Sequence, residues 1–186
     1  VGGRRLGDRA VHRHRARHED IDVAIFRRDL PLLLELVRGR YDVWSAGAGA
    51  LRPITDDWPE PHPDAGQVWL REHAQAPWVL DCLLNEDRDG LWVSRREDRA
   101  APLAETTWST GDGMLVQAPE IVLHHKALQD QPKDRADRDA AWPLLDEGRR
   151  AWLREAVLRV YGRDHPWLAW MEVNDAPGRP RPGRLR

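Results

Sequence analysis

Residues 20–26, Asp-Ile-Asp-Val-Ala-Ile-Phe (DIDVAIF), carry the pattern that decides the fold. Ile21, Val23 and Ile25 alternate with Asp20, Asp22 and Ala24, the two-residue period of a strand with one apolar face. Residues i and i+2 of a strand project to the same side, so the carboxylates of Asp20 and Asp22 point together, away from the apolar face. Two like charges so placed raise each other's pKa unless a cation lies between them. Hard oxygen donors of this kind suit Mg2+. An Asp-x-Asp alone also fits a solvated strand face, so the reading needs a third group.

Asp81 is the candidate. It interrupts Val79-Leu80-Asp81-Cys82-Leu83-Leu84, the most apolar strand pattern of the chain. A carboxylate buried there costs several kcal/mol unless it is paired or bound to metal. An arginine partner such as Arg71 or Arg95 is the structural alternative. Three carboxylates on adjacent strands are what two-metal phosphoryl or nucleotidyl transfer uses, one of them taking the proton of the attacking hydroxyl.

Around these strands the pattern predicts further elements. Leu30, Leu32–Leu34, Leu36 and Val37 form an apolar helix opened by Asp29 and Pro31 and stopped at Gly39. Residues 41–46 and 68–72 read as strands, and 47–66, rich in Gly, Pro and Asp, as a loop. The turn at 86–90 joins 78–85 to 91–95 as a hairpin, and 97–113 reads as a polar connection. From Pro119 the period becomes helical, with helices over 121–129, 134–145 and 149–161 and a short turn at 167–171. Strands first and helices later argue an α+β fold, a small mixed sheet carrying three Asp followed by a helical C-terminal part. The expected organisation is a core over 1–116, a helical part over 117–173 and a disordered tail over 174–186, where Pro, Gly and Arg have nothing apolar to anchor them.

Composition narrows the function classes. The chain has 186 residues and a formal net charge of -2, with no basic excess of the kind that marks a dedicated nucleic-acid binder. Its one cysteine, Cys82, excludes an internal disulfide and a four-cysteine zinc site. No apolar run approaches the roughly 20 residues of a membrane span, and the basic start lacks the apolar core of a signal peptide. A cytoplasmic location and no membrane partner are expected. Lysine occurs only at Lys126 and Lys133, which we read as codon bias toward arginine.

Val1-Gly2-Gly3, then Arg17-His18-Glu19-Asp20-Ile21-Asp22-Val23, then Trp78-Val79-Leu80-Asp81 resemble the polymerase-β-type nucleotidyltransferase superfamily. That superfamily carries Gly-Gly after an apolar residue, an Asp-x-Asp strand and a later Asp on a neighbouring strand. The segments RHEDIDVAIFRRD, PWVLDCLLNE, WVSRRE, APEIVLHHKAL, PKDRADRDAAWPLLD, RRAWL and HPWL are more specifically similar, in order, to the aminoglycoside 2″-adenylyltransferase-like family. The resemblance covers roughly residues 1–171. It implies that Gly2 and Gly3 approach the nucleotide phosphates through their backbone, which glycine permits for want of a side chain. It further implies that Asp20, Asp22 and Asp81 bind Mg2+ and that Asp81 is the catalytic base. Lys126 would meet a phosphate, with a solvated helix lysine as the even alternative. Where the family continues Gly-Gly into an apolar helix, this chain has Arg4-Arg5-Leu6-Gly7-Asp8. The strand and helix expected before Gly-Gly are missing, so the nucleotidyltransferase core is expected to be N-terminally incomplete.

The function expected is transfer of AMP from Mg·ATP to a hydroxyl of a small acceptor, with an aminoglycoside, and hence antibiotic resistance, suggested by the resemblance. Two rivals are a toxin-type nucleotidyltransferase acting on RNA or protein, favoured by the basic residues at 4–17, and a non-catalytic nucleotide-binding remnant. The ten tryptophans are expected mostly in the core; for Trp44 and Trp58, near loops, a sugar or base pocket is the alternative and the core the safer expectation.

Overall fold

The alternating segment forms strand β1 (Ile21–Phe26) in a computed structural model that describes residues 21–175. A short 3-10 turn, Arg27–Asp29, leads into helix α1 (Leu30–Val37), which carries Pro31 in its first turn. There follow β2 (Asp42–Gly47), β3 (Ala50–Ile54), β4 (Ala65–Arg71) and β5 (Leu80–Asn85). These make one five-stranded sheet in the order β1-β5-β4-β2-β3. β1 and β5 pair in parallel and every other pair is antiparallel, so the sheet is mixed as expected.

Alternation divides the sheet into two faces. Val23, Ile25, Leu80, Cys82, Leu84, Val68, Leu70 and Val43 project to one side and pack with Leu30, Leu33, Leu34 and Val37 of α1. The other parity, which includes Asp22, Asp81, Trp69 and Trp44, faces away from that core.

The expected loop over 47–66 contains a strand. Ala48 and Gly49 take φ of 50° and 75°, the left-handed pair of a two-residue hairpin turn, and they fold β3 back onto β2. Pro53 is tolerated because β3 is the edge of the sheet, where a missing N–H costs no ladder bond.

The chain divides into two compact units between Asp87 and Arg88, earlier than the boundary expected at 116/117. That boundary falls within a two-residue strand, β6 (Asp87–Arg88). The second unit holds β7 (Leu91–Val93), β8 (Ala100–Ala101), α2 (Leu103–Thr106), β9 (Thr107–Ser109) and β10 (Leu115–Gln117). The turn at Asp89-Gly90 exists, with φ of 53° and 81°. β7, however, pairs with β8 and not with β5, whose two edges are already taken by β1 and β4. The expected polar connection over 97–113 therefore carries β8, α2 and β9.

Helices complete this unit: α3 (Pro119–Ala127), α4 (Pro132–Ala141), α5 (Glu147–Tyr161) and α6 (Pro166–Asp175). Pro143 ends α4 early and leaves a 3-10 turn at Trp142–Leu144. Asp146 caps α5 by accepting from the Arg149 N–H. Leu123, Ala127, Trp142, Leu153, Val157, Trp167 and Met171 form the buried core of these helices.

α6 is a full helix, longer than the expected turn at 167–171, because Trp167, Leu168 and Met171 supply it with a buried stripe. Asn174 and Asp175, expected to begin the tail, belong to it; residues 176–186 lie outside the described residues. Among the described residues no helix is long and apolar enough to cross a membrane.

Candidate functional site

The parallel pairing of β1 with β5 puts Asp22 directly opposite Asp81. Register partners share a face, and neighbouring strands lie about 4.8 Å apart, so the two carboxylates emerge side by side. Both belong to the face away from α1. Asp22 is exposed, while Asp81, flanked by a strand on each side, is half-buried.

The ends of the two strands are tied together. Arg27 Nε donates to Glu86 Oε1 at 2.5 Å and its Nη2 to the Ala65 carbonyl at 2.7 Å, while Arg28 Nη1 reaches Asp87 Oδ2 at 2.6 Å. Asn85 Nδ2 donates to the Ile25 carbonyl at 3.4 Å. These contacts hold β1 and β5 in the register that faces Asp22 with Asp81.

The same row continues across the sheet. Asp81 is the register partner of Trp69 on β4, and Trp69 is the partner of Trp44 on β2. Trp78, just before β5, meets Trp69 edge-on with ring centroids 5.4 Å apart and Trp44 at 6.3 Å. The Arg71 guanidinium packs against two of these indoles, its carbon 4.7 Å from the Trp44 ring centre and 4.5 Å from that of Trp78. Trp44, Trp69 and Trp78 are half-buried and stand outside the core behind the sheet, so the core expected for all three is corrected by strand parity. Parity was the available signal: Val68 and Leu70 take the core side, which leaves Trp69 and Arg71 with Asp81.

Arg71, one of the two arginines weighed as a partner of Asp81, is committed to this aromatic stack and enters no ion pair among the described residues. On the opposite side of β5, burial pushes the Cys82 thiol up to about 11, and the negative charge of Asp81 adds to the shift. Cys82 is thus a protonated core residue, not a nucleophile.

Asp20, Gly2 and Gly3 lie outside the described residues. Lys126 belongs to the second unit. There its Nζ is 2.5 Å from Asp137 Oδ2 and 3.8 Å from Asp134 Oδ1, an ion-pair set joining α3 to α4. Trp58 is exposed in the segment between β3 and β4. The second unit also contains a cavity of about 100 Å³ lined by Trp92, Arg99, Glu105, Glu120 and Trp152. Ligand pockets generally measure about 300–1,000 Å³, so this one is too small for a nucleotide.

Among the described residues no group of three His, Cys, Asp or Glu is gathered to hold a metal ion. The donor set nevertheless suits Mg2+, which is usually held by one or two carboxylates, with phosphate oxygens and water completing the octahedron. Asp22 and Asp81 supply two such carboxylates on one face of the sheet. Comparison with known proteins finds no matching family model and no matching curated protein.

Proposed function

We propose that the chain is a nucleotidyltransferase that moves AMP from Mg·ATP to a hydroxyl of a small acceptor. The observation that carries this reading is the register of Asp22 with Asp81 across parallel β1 and β5. Two carboxylates opposed on a sheet face away from the core repel each other, and a hard cation between them relieves that repulsion. Asp22 and Asp81, with Asp20, would hold Mg2+, which when bound would stabilise negative charge on the phosphates of ATP.

The work of the chain is then positioning and proton transfer. The acceptor oxygen attacks the α-phosphorus as the bond to pyrophosphate breaks, and the hydroxyl proton passes to the Asp81 carboxylate. Asp81 suits this role because the flanking strands enclose it more than Asp22. The acidic pair also favours a cationic acceptor such as an aminoglycoside, by charge complementarity. The single cysteine, buried and protonated, is compatible with a cytoplasmic enzyme.

The test is release of pyrophosphate from Mg·ATP in the presence of aminoglycosides, tRNA or no acceptor. Release only with aminoglycosides is the expected result. Release only with tRNA moves the acceptor to RNA, and ATP binding without release under any condition identifies a nucleotide-binding domain without turnover.

A further inference from the structure

Arg71 is a cation on the sheet face that carries Asp81, Trp69 and Trp44, and the preceding reading leaves its use open. It lies two residues along β4 from Trp69, the register partner of Asp81, and therefore on the same face. Its guanidinium packs against the Trp44 and Trp78 rings, which stand nearly at right angles to each other and hold it in a corner. Its own register partner on β2 is Asp42, yet no ion pair joins them. The Nε of Arg71 and the indole Nε1 of Trp69 are buried without a hydrogen-bond partner among the described residues. That leaves the Nη groups of this half-buried guanidinium, N–H donors matched to phosphate oxygens, to meet a ligand.

From this arrangement we infer that Arg71 binds the polyphosphate of a nucleoside triphosphate, with Trp44 and Trp78 positioning the guanidinium. The inference rests on the nucleotidyltransferase reading and deepens it. The carboxylates of this face would hold the cation, and Arg71 would take the oxyanion that accompanies it.

Phosphate oxygens could equally come from a phosphorylated acceptor, so the test separates the sources. Binding of Mg·ATP, AMP, adenosine and inorganic tripolyphosphate is measured by calorimetry for the full chain, Arg71→Gln and Asp81→Asn. Arg71→Gln should weaken tripolyphosphate and Mg·ATP by about tenfold or more, the loss of one charge-assisted fork, and leave adenosine unchanged. Unchanged tripolyphosphate binding in Arg71→Gln, with loss of Mg·ATP in Asp81→Asn, overturns the role of Arg71 and leaves the nucleotidyltransferase reading standing. Equal losses of adenosine and tripolyphosphate overturn it too, since Arg71 would then serve the base. If the unaltered chain binds neither ATP nor tripolyphosphate, the underlying reading falls and takes this one with it. A measurement on the unaltered chain covers the case in which Arg71→Gln fails to fold. Tripolyphosphate should protect Arg71 from phenylglyoxal, read by peptide mass mapping, and modification at the same rate with and without it overturns the proposal.

Discussion

Asp22 and Asp81 occupy opposite positions in the parallel pair β1–β5, one exposed and one half-buried, on the side of the sheet away from its core. Removing either charge should have opposite effects on activity and on the ligand-free fold. Asp22→Asn should lower turnover of ATP by roughly 100-fold or more, the scale seen when one preorganised electrostatic group is removed. Its melting temperature without ligand should be equal or higher, because a like-charge contact is gone. Full activity in Asp22→Asn would remove Asp22 from the site.

Acid should weaken the second unit through its paired histidines. Burial, reinforced by the charges of Arg96, His124 and Arg95, holds the His125 pKa down from 6.5 to about 4. His124 is lowered too, chiefly by burial. Across that window the unfolded chain binds a proton that the folded chain does not. The stability due to neutral His125 is therefore full above about pH 6.5 and declines as pH falls toward about 4, by at most about 1.4 kcal/mol per pH unit. Urea midpoints measured from pH 7.5 to 4.5 should fall less steeply in His125→Asn than in the unaltered chain.

Gly47 sits where β2 shifts register against β4. A Cβ there would lie 2.7 Å from Ala65 N and from the carbonyl carbon and oxygen of Asp64, all backbone atoms that cannot rotate aside. Gly47→Ala should cost about 1–3 kcal/mol, the usual range for overpacking. A denaturant midpoint equal to that of the unaltered chain would show that the Asp64–Ala65 backbone yields freely.

Asp175 closes α6 onto α5 through Arg150, at 3.4 Å, and Arg154. The three side chains are partly screened from solvent, so Asp175→Ala should cost about 1 kcal/mol. Thermal unfolding of this variant separates a docked helix end, which loses stability, from a tail, which loses none.

The alternation of Ile21, Val23 and Ile25 was enough to read β1, and the Pro119 boundary enough to read the change to helix. Neither contains the partner of a strand. The sequence places 91–95 after a turn and suggests a hairpin with β5, but only the sheet order shows that β1 and β4 already occupy both edges of β5. β3 was hidden because Pro53 and the surrounding Gly and Asp read as loop, a valid inference for a central strand and a poor one for an edge. Two strand patterns and the family resemblance put Asp81 on a strand neighbouring that of Asp22, while their register appears only in the pairing of β1 with β5. The Trp44–Arg71–Trp78 stack was harder to foresee, because a tryptophan has the same composition signal on either face of a sheet.

β1 and β5 are adjacent in space although α1, β2, β3 and β4 lie between them in the chain. That ordering has a kinetic consequence. The β2–β3 hairpin and α1 can form from near neighbours, whereas Asp22 meets Asp81 only after a long loop has closed, and closure entropy must be met before the contact offers any return. Like charges make this last encounter less favourable still. The face that opposes Asp22 to Asp81 should therefore be absent from early folding species, and substitutions at the β1–β5 contact should act mainly by accelerating unfolding.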